Sequence, residues 1–115
     1  MGDDCIFCKI AEGAIPVKKA YDGKDITAFY DIAPQAPVHI LIIPKKHVAS
    51  LSGVDADQAN LLGQMLLSAE EIAGRLKLKE RGYRVVINTG PDAGQAIEHL
   101  HMHLLAGRKL MWPPG

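Results

Sequence analysis

The chain has 115 residues, with 13 Lys and Arg against 13 Asp and Glu, so its formal charge is zero and no basic run points to polymeric nucleic acid. A hydrophobic share of 48% beside 23% charged residues predicts one globular domain, 1–115, large enough to fold without a disulfide framework. Apolar runs such as Ile40–Ile43 fall far short of the ~20 residues that span a bilayer, and Met1–Ile10 carries two acids and no signal-like apolar stretch, so the expectation is a cytoplasmic protein with no membrane partner.

In chain order, the first feature is Cys5-Ile6-Phe7-Cys8, a spacing that suits a redox dithiol, two metal ligands or two free thiols. A redox pair belongs at the start of a helix after a strand, whereas this pair opens the chain. Tetrahedral zinc needs two more ligands, which here means histidines drawn from His39, His47 and the His99–His103 run. Ile15–Tyr21 and Asp25–Asp31 read as short strands around the hairpin dipeptide Asp22-Gly23. Val38–Ile43 is a β-branched run between Pro37 and Pro44, expected as a buried central strand.

From Asp55 to about Leu78 the apolar positions Leu62, Met65, Leu66, Ala69, Ile72, Ala73 and Leu76 recur as one face of a helix, with Asp55 or Ser52 as its cap. Gly63 and Gly74 lie inside that helix, each at about 1 kcal/mol relative to Ala, and suggest close packing against a sheet. Tyr83–Asn88 reads as a strand, Thr89–Ala96 as a Gly-rich loop and His99–Ala106 as a last strand. The sum is an α+β fold, an antiparallel sheet crossed by one main helix.

His99-Leu100-His101-Met102-His103 alternates imidazoles with large apolar residues, so period two sends three rings to one face and Leu100, Met102 and Leu104 into the core. Such a wall suits either metal ligation or nucleophilic attack by a neutral imidazole. The preceding loop, Asn88 to Gln95, has glycines that let backbone N–H groups approach an anion, which favours the second chemistry, but it lacks the Lys-Ser/Thr ending of a P-loop.

The His99-x-His101-x-His103 run, preceded by Gly94-Gln95, resembles the histidine triad motif of the HIT superfamily of nucleotide hydrolases and transferases. Phe29-Tyr30-Asp31-Ile32, Pro34 to His39, Ile43 to His47, Tyr83 to Asn88 and the closing Trp112-Pro-Pro-Gly115 resemble its Hint branch. The resemblance implies a five-stranded antiparallel sheet with one long helix, assembled as a homodimer whose C-terminal tail helps shape the partner's site. It implies hydrolysis of purine nucleoside phosphoramidates and acyl-nucleotides, derivatives of AMP or GMP, through a nucleotidyl-histidine.

By resemblance His101 is the nucleophile, His103 contacts the α-phosphate and His39 joins the polar network behind them. Asn88, Gly94 and Gln95 orient the phosphate, Asp31 binds the ribose hydroxyls, and Phe7, Ile10, Ile15, Phe29, Ile32 and Leu41 form the cleft for the base. Zinc-containing relatives with a Cys-Ile-Phe-Cys start imply Cys5, Cys8, His47 and His99 as ligands of one structural zinc per chain, with no metal required for the chemistry. The chain departs from the pattern at Ala96, where many relatives carry a serine that helps protonate the leaving amine.

Overall fold

The computed structural model describes residues 4–115, so the first three residues of the Met1–Ile10 segment lie outside the described residues. Five strands, β1 (Lys19–Asp22), β2 (Ile26–Tyr30), β3 (Val38–Pro44), β4 (Arg84–Val86) and β5 (Met102–Ala106), form one antiparallel sheet in the order β1-β2-β3-β5-β4. A short helix, α1 (Ile6–Ala11), precedes the sheet, and one long helix, α2 (Ala59–Arg75), crosses it. The fold is the α+β arrangement expected, with the proline-bounded run β3 at its centre.

Register explains how the faces are divided. Phe29 stands opposite Leu41, Leu41 opposite His103, and Ile42 opposite Met102. Alternation then sends Ile26, Ala28, Ile40, Ile42, Met102 and Leu104 to one face, where Met65, Ala69 and Ile72 of α2 complete a buried core. Phe29, Leu41 and Ile43 go to the opposite face and meet Phe7 and Ile10 of α1. Burial on both faces suits the apolar character of β3, in which His39 is the one polar side chain, and each large apolar side chain so buried contributes about 1.5–3 kcal/mol.

Several boundaries differ from expectation. The sequence marks α1 only as a cysteine-bearing start, because six residues are too few to show a helical period. The segment 15–18 precedes β1, and the hairpin closes through Gly23–Asp25, with the Gly23 N–H donating to the Ile26 carbonyl at 2.8 Å. The long helix starts one turn late. Asp55 caps a 3-10 turn, Ala56–Gln58, by accepting from the Asp57 N–H at 3.0 Å, while the Gln58 side chain accepts from the Asp55 N–H at 3.2 Å. Ser52 lies inside a separate 3-10 turn, Leu51–Gly53.

On α2 the inward stripe is narrower than its apolar sequence. Met65, Ala69, Ile72 and Ala73 are buried, but Leu66 is 53% exposed because it lies one residue, or 100°, around the helix from Met65. Leu76 ends the helix beyond the sheet and is 37% exposed. A Cβ on Gly63 would meet nothing within 4 Å and one on Gly74 only the Lys79 side chain, so close packing against the sheet is not the reason for either glycine. The helix stops in a Schellman turn, with the Leu78 N–H on the Ala73 carbonyl at 2.8 Å, the Lys77 N–H on the Gly74 carbonyl at 3.2 Å, and Lys77 at φ +58°.

The histidine run is also less regular than a strand. The Leu100 N–H donates to the Val48 carbonyl at 2.6 Å, so residues 99–101 leave the β3 ladder and β5 begins at Met102. Likewise β4 covers only the middle of Tyr83–Asn88. The sorting of faces survives: Leu100 joins Met102 and Leu104 in the core beneath α2, and the imidazoles take the other side. Among the described residues no helix is long and apolar enough to cross a membrane.

Candidate active site

The sheet face away from α2 is covered only in part, because α1 is one and a half turns long. Beside it a cavity of about 420 Å3 opens, within the size range of small-molecule sites. Its wall contains every apolar residue expected there: Phe7, Ile10, Ile15, Phe29, Ile32 and Leu41. Phe7 and Phe29 meet edge to face with centroids 5.6 Å apart, which fixes both rings. Ile32 is 97% exposed and stands at the mouth. Asp31, His101 and His103 bring the ionisable groups to the same space.

Tyr30, Val17, Ile6 and Ile97 also line the cavity, beyond the residues that the sequence points to. Tyr30 lies beside Asp31 within the quoted motif, a signal that would have found it. Ile6 and Ile97 come from α1 and from an irregular loop, where no periodicity marks a facing side.

Hydrogen bonds assign a proton to each ring. The His101 Nδ1–H donates to the His99 carbonyl at 2.7 Å, so in the neutral ring Nε2 keeps its lone pair. His39 Nδ1 accepts from the Gln35 N–H at 3.0 Å, which puts the His39 proton on Nε2. That Nε2–H donates to His103 Nδ1 at 2.9 Å, with Asp31 Oδ2 at 3.5 Å beside it. His103 therefore carries its own proton on Nε2. The pair forms one acceptor and one donor, from imidazoles whose centroids are 5.1 Å apart.

Burial, reinforced by the neighbouring His101 and His39, lowers the His103 pKa to about 4, so this ring is neutral at pH 7. Asp31 combines two duties: Oδ1 accepts from the Ala33 N–H at 2.8 Å in a turn, and the carboxylate still lines the cavity. It is both the turn residue and the cavity residue.

The third histidine faces elsewhere. The His99 Nε2–H donates to the Pro44 carbonyl at 2.8 Å, leaving Nδ1 unprotonated at 3.2 Å from Cys5 Sγ and 3.5 Å from Cys8 Sγ. His47 Nδ1 lies 3.3 Å from Cys8 Sγ. Ligand atoms of Cys5, Cys8, His47 and His99 all fall within 4.8 Å of one another. A tetrahedron with Zn–S of about 2.3 Å and Zn–N of about 2.0–2.1 Å sets S···N edges near 3.5 Å, so the donor set and spacing fit one zinc ion. Burial, with Cys5 adding to it, pushes the Cys8 thiol up to about 11, an environment that binding to a cation would reverse.

Contrary to the sequence argument against a redox pair, these cysteines do sit at a helix start. Cys5 caps α1, its Sγ accepting from the Cys8 N–H at 3.3 Å. The two histidines that converge on them, rather than the position in the chain, are what favours a metal. Phe7, between the cysteines, packs edge to face on both His99 and His101, with centroids at 5.9 and 5.2 Å.

The Gly-rich loop is more self-contained than expected. The Gly94 N–H donates to the Pro91 carbonyl at 3.0 Å and the Gln95 N–H to the Gly90 carbonyl at 3.1 Å, so both groups expected to face a phosphate are turned into the loop. The Gln95 side chain accepts from the Gly90 N–H and donates to the Ala49 and Ile97 carbonyls, tying the loop to the body. Asn88 lies two residues past Val86, which pairs with His103. Pairing stops at Val86, and Asn88 is not among the residues that line the cavity. Ala96 lines the cavity and offers no hydroxyl to it.

Comparison with known proteins agrees with this geometry. A family model described as the HIT domain matches residues 12–110. The match takes in all five histidines but begins just after α1, leaving Cys5 and Cys8 outside. An uncharacterized HIT-like protein of Synechococcus elongatus is 52% identical over 115 residues, the full length of both chains. Among solved structures, a HIT family hydrolase from Legionella pneumophila superposes with a TM-score of 0.95 at 49% identity, covering 97% of this chain and all of that one. A histidine triad protein from Clostridium difficile gives 0.92 at 44% identity, covering 94% of each.

Proposed function

The chain belongs to the HIT family, and from that premise we propose that it hydrolyses purine nucleoside 5′-phosphoramidates and acyl-nucleotides through a covalent nucleotidyl-His101. The observation that carries this reading is the His101 Nδ1 contact to the His99 carbonyl, which aims an unprotonated Nε2 at the same cavity as a neutral His103. In the first step Nε2 attacks the α-phosphorus and the P–N or P–O bond to the leaving group breaks; a carboxylate departs with the bonding pair, and an amine departs with that pair and a proton taken from solvent. In the second, water attacks phosphorus and loses a proton to solvent, the P–Nε2 bond breaks with its pair returning to Nε2, and the nucleoside monophosphate leaves. The imidazole is a good nucleophile and a good leaving group, so each barrier is lower than that of direct hydrolysis.

The His103 Nε2–H donates to a non-bridging oxygen of the phosphoryl group, whose negative charge a neutral donor in a buried site stabilises without prior reorganisation. His39 keeps His103 in that tautomer. Asp31 accepts from the ribose hydroxyls and the Phe7, Ile10, Ile15, Phe29, Ile32 and Leu41 wall holds the base. Asn88 and the Gly94-Gln95 loop flank the phosphate, with the Gly94 and Gln95 N–H groups kept on the Pro91 and Gly90 carbonyls. Cys5, Cys8, His47 and His99 hold one structural zinc that anchors α1, and no protein ligand of that ion attacks substrate. The chain acts as a homodimer, in keeping with the exposure of Leu67, Met111 and Trp112.

Ala96 favours a second reading, a nucleotide-binding regulator with vestigial turnover, because the cavity has no hydroxyl at this position. Mass spectrometry of protein quenched during turnover separates the two. The hydrolase reading requires a nucleotidyl adduct on His101, and His101→Ala that still binds nucleotide but loses roughly three orders of magnitude or more in kcat. Near-wild-type turnover by His101→Ala would sink it.

A further inference from the structure

Arg108 does not line the cavity, yet one residue links it to the imidazole chain. Its Nε and Nη2 both donate to the Gln35 carbonyl, at 3.3 and 3.0 Å. The Gln35 N–H in turn donates to His39 Nδ1 at 3.0 Å. Gln35 is thus held on both sides of its Cα, by the guanidinium on one and by His39 on the other. The approach is built into the backbone. Gly107 has φ +95°, and a Cβ there would stand 2.8 Å from the Pro37 Cβ, so the chain leaving β5 presses on the 34–37 turn at a point only glycine can occupy. Arg108 Nη1 also donates to the Lys109 carbonyl at 3.0 Å, which fixes the plane of the guanidinium.

We infer that Arg108 is a positioning residue of the site: by pinning Gln35 it keeps an N–H donor on His39 Nδ1 and so determines which nitrogen of His103 carries the proton. The steps follow from donor and acceptor counting. With the Gln35 N–H in place, His39 protonates at Nε2, His103 accepts at Nδ1, and His103 Nε2–H faces the cavity as a donor. Without it, only Asp31 Oδ2 at 3.5 Å still favours a proton on Nε2, and His39 can carry its proton on Nδ1 with its Nε2 as an acceptor. His103 then donates from Nδ1, and its Nε2 presents a lone pair where a phosphoryl oxygen belongs. Two neutral rings exchange roles with no net change in charge.

The kinetic consequence rests on the hydrolase reading; the tautomer consequence does not. The test therefore uses the full chain labelled with 15N-histidine, as wild type, Arg108→Ala and Arg108→Lys. Arg108 is exposed, so neither substitution opens the core. The wild type is expected to show a pyridine-type Nδ1 and a pyrrole-type Nε2 on His39. Arg108→Ala should give averaged shifts on both rings and a kcat lower by roughly three- to tenfold with KM within about twofold. Arg108→Lys, which retains a donor for the Gln35 carbonyl, should recover most of both. Unchanged 15N shifts in Arg108→Ala overturn the inference whatever the activity, as does a wild type protonated at His39 Nδ1. A wild type inactive on nucleoside phosphoramidates and acyl-nucleotides would fail the hydrolase proposal while leaving the 15N comparison to judge Arg108.

Discussion

His101 and His103 face one cavity but are held by different partners, a backbone carbonyl for the first and a second imidazole for the second. Because His103 is half-buried beside His101 and His39, its pKa falls from 6.5 in the unfolded chain to about 4. Between those values the unfolded chain binds more protons than the folded one, so this residue's contribution to stability is present above about pH 6.5 and is lost as pH falls toward 4. Urea midpoints measured across that interval should drop with pH, and His103→Asn should flatten the drop; an equal slope in both proteins would refute this assignment. Ala96 is the second residue with a specific consequence. An amine leaving group needs a proton as the P–N bond breaks, whereas a carboxylate leaving group does not. Ala96→Ser should therefore raise turnover of phosphoramidates by about tenfold relative to acyl-nucleotides. A ratio of the two kcat/KM values equal to that of the starting protein would contradict it.

Among the elements, α1 is the one that depends most on its neighbours, since six residues cannot sustain a helix in water. It is held by Phe7 and Ile10 on the sheet and by its two cysteines beside His47 and His99. Protein purified without chelators should contain one zinc per chain by metal analysis. Cys5→Ser with Cys8→Ser should lower the urea midpoint by the equivalent of about 2 kcal/mol or more while kcat changes less than about threefold. Metal-free wild-type protein of undiminished stability would exclude this role. The same helix shows where sequence reasoning ran out. β3 announced itself through prolines at both ends, and α2 through Met65, Ala69 and Ile72, because long elements carry a period. α1 has too few turns to carry one, and its part in the cavity depends on a contact between residues as distant in the chain as Phe7 and His101. The histidine alternation predicted the right faces for a partly wrong reason: the backbone at 99–101 is not strand, and the Val48 carbonyl keeps Leu100 inward instead. Gly94 and Gln95 were legible as loop residues, but the direction of their N–H groups depends on a turn that closes on itself.

In the molecule as a whole, His99 belongs to two neighbourhoods at once, its ring with the thiols and its carbonyl under His101. Phe7 does the same from the other side, and Ile6, Phe7 and Ile10 wall the cavity from the helix that Cys5 begins. A single short clasp, α1, therefore borders both the cavity and the cysteine–histidine cluster. Whatever seats that clasp for one visitor has already met part of the ordering cost for the other, and thermodynamic reciprocity makes the effect equal in both directions. If zinc tightens the dissociation constant of a nucleoside monophosphate by some factor, saturating nucleotide must tighten the zinc dissociation constant, read by chelator competition at equilibrium, by that same factor. Calorimetry on one side and chelator competition on the other should give matching numbers above unity. A factor of one on both would mean that the clasp is rigid without either guest.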